Sequence, residues 1–310
     1  MLMTLPSESL VSILMNCYNG ERFLRESIES VIAQTYKNWE LIFWDNRSND
    51  NSAEIFKSYD NKRLKYYLSP EHTDLGGGRA RAWVYLTGDF IAVLDVDDVW
   101  LPLKLEKQLP LFEDPEVGIV ISDTLFFNET TEKQLYAGEY PPTGWVFDRL
   151  MLSYYVSLET LIIRKSAVSS LPRAFDPDFS FIADFDLVVR LSRICKLGLV
   201  PEVLAKWRVH DDSDTWKYPL TFLVEREKWI AKQITEDPVF YSDKSSIVEQ
   251  FKNKNMRSKV IYMLRHRDRK SSLKILLQIK FNHWHAWIIL FLCFMPFSSL
   301  LLNLYHKKLL

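Results

Sequence analysis

Apolar runs punctuate the first hundred residues, and each stops at a polar turn. Leu10 to Tyr18 is rich in apolar and β-branched residues up to Asn19-Gly20, the pattern of a buried strand. Trp39 to Trp44 is a second run and ends at Asp45-Asn46. Leu64 to Leu68 is a short third, and Phe90 to Leu94 a fourth that stops at Asp95. Between these runs the spacing turns helical. Leu24, Ile28, Val31 and Ile32 share a face within Glu21 to Gln34. Asn51 or Ser52 caps a second helix through Tyr59. Glycines 76 to 78 read as a flexible loop ahead of a third helix, Arg79 to Leu86. This alternation predicts an α/β fold with a mixed, mostly parallel sheet flanked by helices. Ligands of such sheets bind beyond the carboxyl ends of the strands. That singles out Asn16 to Asn19, Asp45 to Asp50 and Asp95 to Asp98.

Farther along, Pro102 suits the first turn of a helix to Phe112. Val117 to Phe127 and Thr160 to Arg164 read as strands, and Asp184 to Lys196 as a helix. From Trp216 the pattern becomes one of charged helices, followed by the basic residues Arg265, Arg267, Arg269 and Lys270. The expected organisation is a domain over 1–215, a helical extension over 216–280 and a membrane-embedded or spanning segment over 281–305. Phe281 to Tyr305 holds no Asp, Glu, Lys or Arg, and about 20 apolar residues suffice to cross a bilayer. Pro296, Ser298, Ser299 and Asn303 interrupt the run. A spanning helix, a segment within one leaflet with Trp284 and Trp287 at the interface, and a buried core helix all remain open. The basic residues ahead of it point to anionic inner-leaflet lipids and the cytoplasmic face of the plasma membrane.

Composition narrows the partners. With 310 residues, 47% hydrophobic and 25% charged, the chain is globular. A formal net charge of -1 gives no argument for nucleic acid. Cys17, Cys195 and Cys293 are far apart and form no metal-binding pattern, which fits a reducing compartment. Met1 to Ser9 lacks the features of a secretory signal.

The strongest chemical feature is Asp95-Val96-Asp97-Asp98 at the end of a very apolar run. Three carboxylates in four residues repel one another unless a cation sits among them. Mg²⁺ and Mn²⁺ favour such oxygens and bind jointly with a substrate diphosphate. Two other readings are a solvated turn capping the next helix and the nucleophile loop of a haloacid-dehalogenase-like phosphatase using Asp95. The latter motif normally sits on the first strand, whereas this one lies on the fourth.

An ordered set of motifs resembles the family 2 glycosyltransferases of GT-A fold, of bacterial surface-polysaccharide type. It comprises Val11-Ser12-Ile13 to Tyr18-Asn19, Gln34-Thr35-Tyr36, Trp39-Glu40-Leu41-Ile42, Asp45 with Ser48 and Asp50, and Leu75-Gly76 with Arg79. It continues with Gly88-Asp89-Phe90-Ile91, Asp95-Val96-Asp97-Asp98, Asp184-Phe185-Asp186-Leu187 and Trp207-Arg208-Val209-His210. The resemblance implies an inverting, metal-assisted transfer of a sugar from a nucleotide-diphosphate donor to a saccharide or lipid-linked acceptor. It assigns Asn16, Tyr18, Asn19, Asp45, Asn46, Arg79 and Asp95 to the donor nucleotide, and Asp97, Asp95 and His210 to Mn²⁺ or Mg²⁺. Asp184 becomes the general base, with an N-cap role as the alternative, and Asp186 pairs with Arg190. The chain departs from the family pattern at Asn46, Ala80 and Ala183. A non-catalytic sugar-nucleotide-binding protein therefore stands as a further alternative.

Overall fold

The computed structural model describes residues 9–211, 213, 217–266 and 268–276. By contacts the chain divides into two units, Met1–Ser213 and Asp214–Leu310.

The first unit is built on one sheet. Its strands are β1 (Val11–Cys17), β2 (Trp39–Asp45), β3 (Leu64–Leu68), β4 (Phe90–Val93), β5 (Val99–Trp100), β6 (Val117–Phe127), β7 (Glu132–Gln134), β8 (Ile162–Arg164) and β9 (Lys196–Arg208). They run in the order β3-β2-β1-β4-β8-β6-β9-β5, with β7 on β6. The first four are mutually parallel, while β8 is antiparallel to both β4 and β6. All seven residues of β1 and of β2 are buried, which explains why both read as continuous apolar runs rather than alternating ones. The described helices of this unit are α1 (Leu24–Ile32), α2 (Ser52–Lys57), α3 (Leu75–Ala82), α4 (Lys104–Gln108), α5 (Phe147–Leu152), α6 (Lys165–Val168) and α7 (Ala183–Leu191). Leu24, Ile28 and Val31 of α1 are fully buried in the same core, so the predicted helical face does pack inward.

Three elements differ from expectation. The glycine run is not a loop. Helix α3 spans Leu75–Ala82 and contains all three glycines, with Asp74 Oδ1 accepting from the Gly77 N–H at 2.8 Å. A Cβ on Gly76 would stand 2.0 Å from the Phe179 carbonyl oxygen, so the glycine is there for close approach. The helix expected from Pro102 is short: α4 covers Lys104–Gln108 and a 3₁₀ turn follows over Leu109–Glu113. The helix at 184 spans Ala183–Leu191, and Lys196 already opens β9, a strand the sequence pattern hid. β9 carries Pro201 and pairs with β6 through register shifts, the irregularity that an internal proline demands.

In the second unit, three helices run over Pro219–Glu236, Pro238–Asp243 and Ser245–Arg265, and a fourth over Arg269–Leu276. Trp229 and Phe251 pack together at its centre, both buried. Among the described residues, no helix is long and apolar enough to cross a membrane. The segment 281–305 lies outside the described residues.

Candidate active site

The carboxyl ends of β1, β2 and β4 meet. The Asn46 N–H donates to the Cys17 carbonyl at 2.8 Å, and the Leu94 N–H to that of Leu14 at 3.0 Å. A Cβ on Gly20 would stand 2.8 Å from Val96 Cγ2. Asn19, at φ 56, turns its amide so that Oδ1 accepts from the Asn49 N–H at 2.9 Å. Ser27 of α1 donates to the carbonyls of Val96 and Asp98 at 2.8 and 2.6 Å and so fixes the acidic turn from beneath.

The predicted donor residues fall into two groups. Asp45 and Asn46 are buried and satisfied within the protein. Asp45 accepts from the Ser48 N–H at 2.7 Å and the Tyr66 hydroxyl at 2.6 Å. Asn46 donates to the Thr73 carbonyl at 2.6 Å and accepts from the Thr73 N–H at 3.1 Å. They shape the wall by locking the loop after β3. Tyr18 is instead half exposed and lies against the His72 ring, with centroids 4.3 Å apart. His72 Nδ1 meets the Asn46 carbonyl oxygen at 2.9 Å, so that nitrogen carries the proton. Nothing in the sequence pattern marked His72, since its partner ring lies far away in sequence. Asn16 is buried, packs against Gly78, and its Oδ1 has no partner among the described residues.

Arg79 projects from α3 to Asp95, where one Nη contacts both carboxylate oxygens at 2.7 and 3.1 Å. The guanidinium is nearly buried while Asp95 stays about one-third exposed, at 32%. A carboxylate held this way is neutralised rather than poised to attack phosphorus, which weighs against the phosphatase reading. The opposite face of α3 borders a separate cleft of about 610 Å³, lined by Thr73, Asp74, Gly77, Ala80, Arg81 and Pro177. Ala80, one of the departures from the family pattern, thus faces away from Asp95.

Asp97 Oδ2 and His210 Nε2 lie 2.9 Å apart, close to the spacing of adjacent ligands on an octahedral ion with bonds of roughly 2.1 Å. Among the described residues, no group of three or more His, Cys, Asp or Glu side chains is arranged to hold an ion. The three-ligand set Asp95, Asp97 and His210 is therefore not assembled here: Arg79 occupies Asp95. A small hard cation that keeps waters and shares a diphosphate fits two protein ligands. His210 is the weaker of them. Its Nδ1 is buried and has no partner among the described residues, so ligation through Nε2 would move the ring proton to an unpaired position, at a cost of about 1–3 kcal/mol.

Asp98 is buried and accepts from the Arg208 N–H at 3.0 Å. Burial, with Asp97, Glu159 and Asp95 nearby, pushes its carboxyl well above the usual range. Arg208 also donates from Nε to the Asp97 carbonyl at 2.9 Å and rests on the rings of Phe23 and Phe127. It thereby ties β9 to the acidic turn and delivers His210. Its only signal in sequence was its place in Trp207-Arg208-Val209-His210.

Asp184 sits in the first turn of α7 (Ala183–Leu191), whose N-cap is Ile182, so Asp184 is not the cap. Its Oδ2 accepts from the Tyr154 hydroxyl at 2.9 Å. Burial pushes its pKa up, and the charge of Arg79 and the Tyr154 bond pull it back. Asp186 and Arg190 form the expected i,i+4 pair. Arg190 also donates to the carbonyls of Arg173 and Ala174 at 2.7 and 2.6 Å, a structural tie for the loop before α7.

Comparison with known proteins bears on the family and the fold. Residues 12–161 match the model of Glycosyl transferase family 2. The chain is 29% identical over 173 residues, 55% of its length and 67% of the relative's, to the Escherichia coli UDP-Glc:alpha-D-GlcNAc-diphosphoundecaprenol beta-1,3-glucosyltransferase WfgD. Two solved structures share its fold. S. aureus TarS 1-349 in complex with UDP-GlcNAc superposes with a TM-score of 0.63 at 17% identity, covering 90% of this chain and 78% of that one. The mannosyltransferase PcManGT from Pyrobaculum calidifontis, in complex with GDP-Man and Mn2+, gives 0.60 at 13% identity, covering 97% and 80%. The fold is accordingly of GT-A type, and the N-terminal unit carries a glycosyltransferase family 2 domain over residues 12–161.

Proposed function

We propose that the chain is an inverting glycosyltransferase that takes its sugar from a nucleotide-diphosphate donor held at the ends of β1, β2 and β4. The observation that carries this reading is the placement of Arg79. Its guanidinium is bonded to Asp95 of the acidic turn, and its charge is the largest favourable one felt by Asp184 at the head of α7. Arg79 thus bonds the donor-side carboxylate and acts electrostatically on the acceptor-side one. Tyr18, half exposed beside His72, offers an aromatic face to the base. Asn16 Oδ1, buried and unpartnered, supplies an acceptor for a donor hydroxyl or imino group.

Asp97 and His210 would hold Mg²⁺ or Mn²⁺, which when bound neutralises charge developing on the departing diphosphate. Arg79 adds fixed positive charge on the same side. Asp184 takes the proton of the acceptor hydroxyl as its oxygen bonds to the anomeric carbon and the bond to the diphosphate breaks. General-base help of this kind is worth on the order of 10²–10⁴ in rate.

The acceptor class is a saccharide hydroxyl, free or lipid-linked. The acceptor in the name of the E. coli relative, a diphosphoundecaprenol-linked sugar, supports the lipid-linked form. So does the uncharged run 281–305 behind a basic stretch, which fits attachment to the cytoplasmic face of a membrane rich in anionic lipid and a role in polysaccharide assembly.

The test is a panel of UDP-, GDP- and dTDP-sugars screened for Mn²⁺-dependent binding and hydrolysis. The reading expects one donor class to turn over, and Asp184→Asn to lose transfer while keeping donor affinity. Binding without turnover in the parent would instead support a non-catalytic sugar-nucleotide-binding protein.

A further inference from the structure

We infer that Tyr154 is a positioning residue for the base of this site, its hydroxyl fixing the direction and the ionisation of the Asp184 carboxylate. The inference rests on the reading of Asp184 as the base.

Tyr154 lies just after α5 (Phe147–Leu152), 30 residues before its partner, and donates to Asp184 Oδ2 at 2.9 Å. Its ring stands edge-on to Phe185, centroids 5.2 Å apart at 68°. The phenol is therefore steadied by the residue that follows the base, while its hydroxyl reaches the base itself. Ala183 and Phe185 on either side of Asp184 are buried, which fixes the backbone of this turn.

A carboxylate in a first helical turn has two side-chain torsions to choose. A donor at one oxygen selects an orientation, and the remaining lone pairs stay available to a substrate proton. A base must present one of them within about 2.6–3.2 Å of the proton it removes. The same bond has an electrostatic consequence. Desolvation favours the protonated acid, which is useless as a base. Arg79 from α3, Tyr154 from the segment after α5 and the Phe185 N–H of α7 itself favour the carboxylate.

Tyr154→Phe keeps the ring against Phe185 and removes the donor. Two measurements apply. The first is the ¹³C-carboxyl NMR titration of Asp184, assigned by difference with Asp184→Asn; it reads with or without turnover. The second is the pH profile of nucleotide release from UDP-glucose, UDP-GlcNAc or GDP-mannose, with water as the surrogate acceptor.

The expected result is an Asp184 pKa about one unit higher in Tyr154→Phe. The acid limb of the profile should move up by the same amount, turnover below it should fall about tenfold, and the donor KM should stay unchanged. An unchanged pKa and limb overturn the inference, whatever the variant's melting temperature. If Asp184→Asn hydrolyses donor as fast as the parent, the base assignment itself falls. If Asp184→Asn is inactive and Tyr154→Phe is unshifted, only the role of Tyr154 falls.

Discussion

Two strand ends carry aspartates at equivalent places in the sheet, and they are put to opposite uses. At the end of β2, Asp45 and Asn46 are 1% and 2% exposed, and both side chains are engaged by neighbouring residues. At the end of β4, Asp95 and Asp97 keep 32% and 25% of their side-chain surface open, and their partners are the cationic Arg79 and the titratable His210. The first pair has already made the hydrogen bonds a polar group needs in the interior. The second presents charge that a ligand or ion can still use. Being polar at a strand end is common to both, so exposure and partner chemistry are what distinguish the two pairs.

That contrast is sharpest under substitution. Asp97→Asn should cost about 10²–10³ in turnover and abolish Mn²⁺ binding, with little change in melting temperature. His210→Ala should weaken Mn²⁺ by only about tenfold, because the orphaned Nδ1 makes it the poorer ligand. Asp45→Ala should behave the other way round. It strands the Ser48 N–H and the Tyr66 hydroxyl and should cost about 3 kcal/mol of stability in a denaturant titration. The protein that stays folded should retain most of its turnover. If Asp45→Ala loses activity as Asp97→Asn does, the division between the two strand ends is wrong.

Smaller effects refine the picture. Tyr18→Ala should lower nucleotide affinity by about tenfold in calorimetry, the scale of one base stacked on an aromatic ring. Asp98 gives a pH signature. Its folded pKa is raised by burial, so between the ordinary value near 4 and the raised one the native state holds the extra proton. Stability should therefore fall as pH rises through that interval, by about 1.4 kcal/mol per unit of separation. Asp98→Asn, which keeps an oxygen for the Arg208 N–H, should flatten that slope in melts from pH 4 upward.

The parallel strands were legible because burial on both faces writes an unbroken apolar run, as in β1, β2 and β4. The polar residues that end them followed directly. Elements that break their own rules were not legible. A glycine run reads as loop, yet α3 needs Gly76 where the Phe179 carbonyl would meet a Cβ. β9 hides behind Pro201 and a scatter of charges, and is strand because β6 pairs with it across three register shifts. Contacts between distant segments left no local trace at all. Arg79 reaches Asp95 from 16 positions away, Tyr154 reaches Asp184 from 30, and Arg208 closes on Asp97 from 111. The family resemblance drew attention to the residues at these strand ends, but it did not separate the buried, bonded Asp45 from the more open Asp97, nor reveal the contacts of Tyr154 and His72.

On the function proposed above, the open carboxylate of Asp97, and not the buried one of Asp45, would hold the divalent cation that serves the donor diphosphate. The direct measurement is calorimetric binding of UDP and GDP with and without Mn²⁺, in the parent and in Asp97→Asn. Mn²⁺ should tighten binding of one nucleotide at least tenfold in the parent and have no effect in Asp97→Asn. Equal tightening in both proteins, or binding indifferent to the ion in the parent, would contradict it.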